Sequence, residues 1–102
     1  MREKQQRIAI AEACGWTEIS DWGAGGINGK HPTERWMGAD FVPDYLNDLN
    51  AMHDAEKQLE AEDNHAYGCY CIELYEKYGN TVSLTAAQRA EAFLKTLNLW
   101  TP

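Results

Sequence analysis

The distribution of glycine along this chain places the strongest constraint on its fold. Six of the eight glycines lie between residues 15 and 38, whereas residues 2–14 and 43–67 contain none. Glycine inside a helix costs about 1 kcal/mol relative to alanine, and it is the residue that turns use most easily. The distribution therefore predicts a short β-rich region enclosed by helices.

The glycine-rich region has the features of a β-hairpin. Residues 17–19 and 33–36 are rich in β-favouring side chains. Between them lies the segment 23–30, in which Asn28-Gly29 is a strong signal for a tight turn. We predict two antiparallel strands joined by a long glycine-rich loop. This loop is either a mobile lid over a ligand or only the tip of the hairpin.

The same loop imitates the spacing of a phosphate-binding P-loop. Residues 24–30 follow the pattern of Ala or Gly, four residues, Gly and Lys, but His31-Pro32 comes next. A P-loop needs Ser or Thr after its lysine and a helix that begins there. The sequence therefore argues against a nucleoside triphosphatase.

Four helices account for most of the remaining chain. Apolar residues at helical spacing, helix-opening residues and glycine stops predict helices over residues 2–14, 43–61, 64–78 and 86–98. Pro43 is expected to open the second helix, and Thr85 with Gln88 forms a capping box for the last. The expected fold is α+β and helix-rich: about four helices packed with a small antiparallel β-hairpin sheet, in a single domain of residues 1–102.

The charge balance limits the classes of partner. Nine basic residues stand against 16 acidic ones, a formal net charge of −7. Nonspecific nucleic-acid binding needs a basic surface, and anionic lipid repels an acidic protein. We therefore expect no nucleic-acid partner and no membrane. A small anionic ligand in a local basic pocket and a basic protein partner both remain compatible with the sequence.

The cysteines and the N-terminal sequence bear on compartment and metal binding. Three cysteines fit a reducing compartment, and the N-terminus lacks the apolar core of about 7 to 15 residues that a secretory signal contains. No apolar run approaches the roughly 20 residues that span a bilayer. In a helix, Cys69 and Cys71 point about 200° apart, so they cannot chelate one ion together. We expect neither a metal site nor a cofactor.

Aromatic and basic residues on the predicted hairpin form the first candidate site. Tryptophan stacks on nucleobases, and arginine grips phosphate through two parallel hydrogen bonds. Alternatively, the tryptophans belong to the core and the arginine to the surface. Arg89, on the flank of the last helix, either forms a salt bridge or reaches into a shared pocket. The predicted ligand-binding residues are Trp22, Lys30, His31, Arg35, Trp36 and Arg89.

The second candidate group lies on the predicted helix 43–61. His53 and Glu56 fall within the same arc as Tyr45, among apolar residues. Buried ionisable groups are costly unless paired, and residues three apart on a helix are neighbours. We therefore expect His53 and Glu56 to pair, and all three residues to line an interface or a pocket. Catalysis by such a pair needs a third group that the sequence does not provide, so we predict no catalytic residue.

Three segments resemble a known family. Residues 7–16 (RIAIAEACGW), 42–56 (VPDYLNDLNAMHDAE) and 85–97 (TAAQRAEAFLKTL) are similar, in this order, to the phage α-β-α sandwich domain of small tailed-phage accessory proteins. The resemblance implies a phage or prophage origin, a location in the bacterial host cytoplasm and no catalysis. By analogy with small phage proteins that counter host defence, the expected function is sequestration of a small nucleotide-derived immune messenger. The alternative is an acidic protein-interaction module that inhibits a host defence enzyme.

The aromatic content bears on assembly. Four Trp, five Tyr and two Phe occur in 102 residues, and each ring buries about 150–250 Å² in a protein interior. A small domain leaves some of them half-exposed, so we expect a homodimer or a higher homo-oligomer, with a two-fold contact through the helix 43–61 or the last helix. The alternative is a monomer whose aromatic rings fill its own core.

Overall fold

The computed structural model describes residues 1–21, 26–30, 40–80 and 83–101. Its elements, in chain order, are α1 (Glu3–Ala13), β1 (Thr17–Asp21), β2 (Ile27–Lys30), β3 (Asp40–Phe41), α2 (Leu49–Glu62), α3 (Asn64–Tyr78) and α4 (Ala86–Thr96). The predicted α+β fold, with four helices and a small antiparallel sheet, is confirmed.

The sheet corrects the predicted turn. β1 pairs antiparallel with β2, and β2 pairs antiparallel with the short β3. Asn28 and Gly29 lie inside β2 rather than in a turn. A Cβ atom on Gly29 would lie 3.0 Å from Ile19 Cγ1 and 3.2 Å from the carbonyl oxygen of Thr17, so glycine serves close strand approach here. The predicted second strand, residues 33–36, lies outside the described residues.

The start of α2 is also corrected. The helix begins at Leu49 instead of Pro43, because the Asp48 carboxylate accepts hydrogen bonds from the backbone N–H groups of Asn50 and Ala51. Residues 45–47 form a turn that precedes this cap. Tyr45 therefore does not belong to α2, and its side chain is buried in the core.

The last two helices follow their predicted signals. Asp63 is the only residue between α2 and α3, and its carboxylate accepts a hydrogen bond from the Ala66 N–H at 3.0 Å. α3 ends at Gly79, which has a φ of 79°. The Thr85 hydroxyl accepts from the Gln88 N–H, and the Gln88 side chain accepts from the Thr85 N–H. The capping box is thus confirmed, although α4 ends at Thr96, two residues before the predicted end.

α4 is the central helix of the packing. It contacts α1, α2 and α3. Tyr70 of α3 packs edge-to-face against Phe93 of α4, with ring centroids 5.9 Å apart. The largest fully buried side chains are Tyr70, Phe93, Ile10, Ile27, Met52, Leu74 and Leu94. Within the described ranges, no helix has the length and apolar character needed to cross a membrane.

Candidate functional site

A polar pocket lies where α2, α3 and α4 meet. Its volume is about 490 Å³, within the range of about 300–1,000 Å³ that small-molecule sites occupy. Most of the lining comes from one face of α2. The lining residues are Asn50, His53, Asp54, Glu56, Lys57, Glu60, Tyr67 and Arg89.

A buried ion pair forms the floor of this pocket. Arg89 Nη1 donates a hydrogen bond to Glu56 Oε2 at 2.9 Å, and the two side chains are only 7% and 10% exposed. The other carboxylate oxygen, Glu56 Oε1, lies 3.0 Å from His53 Nδ1. The predicted pairing of His53 with Glu56 is confirmed. The Glu56 carboxylate therefore bridges a buried guanidinium and an imidazole at the pocket surface.

The packing of α4 explains how Arg89 enters the pocket. Because α4 lies against both α2 and α3, the flank of its apolar face points towards α2 rather than towards solvent. The sequence left two alternatives for Arg89, a salt bridge or a position in a pocket. In the structure its side chain does both. Beneath the pair, burial and then the Glu56 carboxylate raise the pKa of Tyr70, which keeps its hydroxyl neutral.

The rim of the pocket mixes charges with an aromatic ring. Asp54 and Glu60 contribute carboxylates, Lys57 contributes an ammonium group, and Tyr67 enters from α3. A hydrogen bond with Cys71, and then burial, raise the pKa of Tyr67. Counting Glu56 and Arg89, three carboxylates face two cations. The lining therefore suits a ligand that brings hydrogen-bond donors together with an anionic group.

Of the predicted hairpin cluster, Lys30 is the member that lies within the described residues. Lys30 is on the exposed surface of β2, where its Nζ lies 2.8 Å from Glu18 Oε2, and it does not line the pocket. Tyr45 lies in the core rather than at the pocket, because the chain turns before α2 begins. The remaining predicted residues of the hairpin, Trp22, His31, Arg35 and Trp36, lie outside the described residues.

Five pocket residues were absent from the sequence prediction, and four of them had a detectable signal. Asn50, Asp54, Lys57 and Glu60 recur at spacings of three and four, which places them on one face of a helix. The same spacing includes His53. Tyr67 comes from a different helix, so helical periodicity within α2 does not reveal it.

The cysteines lie in three different environments. Cys14 is buried, and this burial, followed by the Glu62 charge, raises its pKa to about 12. Its thiol is therefore protonated and unreactive at neutral pH. Cys69 is exposed, with its Sγ 3.8 Å from His65 Nε2, and Cys71 is partly buried. Across the described part of the chain, no three His, Cys, Asp or Glu side chains gather as metal ligands would.

Comparisons with protein families, with curated proteins and with solved structures found no match for this chain.

Proposed function

We propose that this chain is a phage-encoded, non-catalytic binding protein that sequesters a small nucleotide-derived immune messenger of the bacterial host. The observation that supports the proposal best is the recess of about 490 Å³ with Arg89, Glu56 and His53 at its floor. The ion pair joins α2 to α4 beside a preformed polar recess. Preformed sites bind more tightly because less freedom is lost on binding.

The lining residues match the parts of a nucleotide. The Tyr67 ring offers a stacking surface, and stacking is worth about 1–3 kcal/mol per base. Lys57, whose side chain is exposed at the rim, offers a charge-assisted contact for phosphate. Asp54 and Glu60 accept hydrogen bonds from ribose hydroxyls or exocyclic amino groups. These groups support the proposal that the recess takes a nucleotide.

The composition of the lining supports binding without turnover. Among the lining residues that the structure describes, none is a Ser, Thr or Cys nucleophile. Glu56 is occupied by Arg89 on one oxygen and by His53 on the other. Because both oxygens of this carboxylate are engaged by protein side chains, Glu56 itself is not placed to take a substrate proton.

The direct test measures binding by calorimetry, with ADP-ribose and a cyclic dinucleotide as probes. We expect micromolar or tighter affinity for at least one probe, which corresponds to about −8 kcal/mol or better. The Tyr67→Leu variant should weaken binding at least about tenfold, as expected from loss of a stacked base. The matched control is Tyr78→Leu, because Tyr78 lies on the same helix and is likewise partly buried, but it does not line the pocket.

A second measurement separates binding from catalysis. The protein is incubated with extract from defence-activated bacteria and then heat-denatured, and the released compounds are analysed by mass spectrometry. Recovery of an intact nucleotide supports sequestration. A chemically altered product, or no retained nucleotide and no affinity for either probe, contradicts the proposal.

An acidic interaction module that inhibits a host defence enzyme is the second candidate. It is favoured by the excess of carboxylates over cations in the pocket and by the net charge of −7. A Lys or Arg side chain of a basic partner would satisfy Asp54 and Glu60. Such a partner should co-purify at low salt and be lost at high salt, and Asp54→Asn with Glu60→Gln should abolish its capture.

A further inference from the structure

The outward side of α3 carries an apolar stripe that no other part of the described chain covers. Ile72 and Tyr75 are 58% and 64% exposed, and both are three or four residues from further exposed positions on the same side. We call this stripe the outer α3 face. It consists of His65, Gly68, Cys69, Ile72, Tyr75 and Glu76. Single exposed hydrophobic residues are ordinary, whereas contiguous patches of them are a feature of interaction surfaces.

Gly68 lies at the middle of this face. A Cβ atom added there would meet no other atom of the described chain within 4 Å. Packing inside the subunit therefore does not require glycine, although glycine in a helix costs about 1 kcal/mol. The residue leaves a notch that faces outwards, next to two large exposed side chains. This arrangement is suited to close approach by a second helix.

We propose that two copies of this chain associate through the outer α3 face, with their α3 helices antiparallel about a two-fold axis. With a rise of about 1.5 Å per residue, an axis near the helix centre brings Ile72 close to Ile72 of the partner subunit. Tyr75 then lies over Gly68 of the partner subunit. The stripe is thus complementary to itself, which a two-fold interface requires.

The polar side chains at the ends of the stripe favour the antiparallel arrangement. In it, the Glu76 carboxylate accepts a hydrogen bond from an imidazole N–H of His65 of the partner subunit, and the contact is repeated by symmetry. A parallel arrangement would instead bring the two Glu76 carboxylates together, which is unfavourable. The proposal moves the expected dimer contact away from α4, whose apolar residues are already buried by the other helices. It does not depend on the pocket or its ligand.

Sedimentation equilibrium over a range of micromolar concentrations tests this proposal on the full chain. We expect a mass approaching twice 11.6 kDa for the unmodified protein. Ile72→Glu, which places two carboxylates at the axis, should raise the dimer dissociation constant at least about tenfold. The matched control is Phe41→Glu, because Phe41 is 78% exposed on β3, and it should leave the dissociation constant unchanged.

A charge exchange tests the orientation of the two helices. Glu76→Lys should weaken the dimer, and the double variant His65→Glu with Glu76→Lys should restore it, with circular dichroism used to check that each variant is folded. Monomeric mass at every concentration overturns the proposal. So does a dimer that Ile72→Glu leaves intact, or a double variant as weak as the single one.

Discussion

Two ion-pair systems join α4 to its neighbours, and they differ in their access to water. On the α2 side, Arg89 and Glu56 are buried, with 7% and 10% of their side chains exposed. On the α3 side, Glu91 contacts Lys77 and Lys95, and these side chains are 28% and 37% exposed. The residue types are similar, so the difference between the two systems isolates the effect of burial.

The comparison shows that burial changes what an ion pair does for the fold. Exposed pairs are screened by water and salt and contribute about 0–1 kcal/mol. A buried pair gives little net stability over apolar residues, yet neither charge can be left alone without a large penalty. We therefore expect the Glu56–Arg89 pair to act mainly by fixing how α4 lies against α2, and with it the shape of the pocket. The Glu91 network contributes mainly a weak, solvent-screened attraction between α3 and α4.

The largest expected effect comes from removing one buried charge. Arg89→Met leaves the Glu56 carboxylate buried without its guanidinium partner, so we expect a loss of about 3–5 kcal/mol in the free energy of unfolding. Adding Glu56→Leu should recover most of that loss, because no uncompensated charge remains. Urea denaturation of both variants measures the two values. A double variant as unstable as the single one would show that the lost packing, rather than the lone charge, is responsible.

A smaller effect is expected at the start of α4, the helix that both systems share. Thr85→Ala removes the hydroxyl that accepts from the Gln88 N–H, and loss of an N-cap costs about 1 kcal/mol. Thr85→Ser keeps the hydroxyl and serves as the control in the same urea experiment. Equal stability of the alanine and serine variants would show that the cap contributes nothing.

Removing a charge from the exposed Glu91 network should change the free energy of unfolding by less, and the size of this change should depend on salt. Glu91→Gln is expected to cost less than about 1 kcal/mol at low ionic strength, since its partners remain solvated. High salt should remove this difference, whereas the Arg89→Met penalty should persist because the buried pair is poorly screened. Denaturation at two ionic strengths distinguishes them. Equal salt sensitivity of both variants would contradict the comparison.

The smallest effect is a dependence on pH. The hydrogen bond from Lys77 lowers the pKa of Glu91 below its ordinary value of 4.5. Because the pKa is lower in the folded state, ionised Glu91 stabilises the protein fully above the ordinary value of 4.5. This stabilisation is lost as the pH falls through the folded-state pKa. The stability difference between the unmodified protein and Glu91→Gln should therefore shrink below about pH 4.5. A difference that stays constant in acid would exclude this carboxylate as its source.

The parts of the fold that the sequence predicts correctly depend on neighbouring residues. The Thr85 capping box and the Gly79 stop act within a few positions, and both are in the structure. Pro43 misleads because it also fits a turn, and Asp48 provides the stronger cap five residues later. Gly29 misleads for another reason: its lack of a side chain serves contact with Thr17 and Ile19 across the sheet.

In the candidate site too, contacts between neighbouring residues follow from the sequence, whereas long-range contacts do not. The pairing of His53 with Glu56 follows from positions three apart on one helix. Arg89 reaches the same carboxylate from 33 residues away, and helical periodicity alone does not specify which helix its flank faces. The pocket exists only when α2, α3 and α4 are packed, so no single segment encodes it.

The single residue between α2 and α3 has a consequence for the order of folding. Asp63 ends one helix and caps the next, so the two helices meet at a corner with almost no loop to close. The contacts of α3 with α2 and with α4 join consecutive elements, and such contacts form quickly because little chain entropy is lost. The contact of α1 with α4 instead joins the two ends of the chain. The three later helices can thus assemble first, and docking of the N-terminal helix is the long-range event that completes the native state.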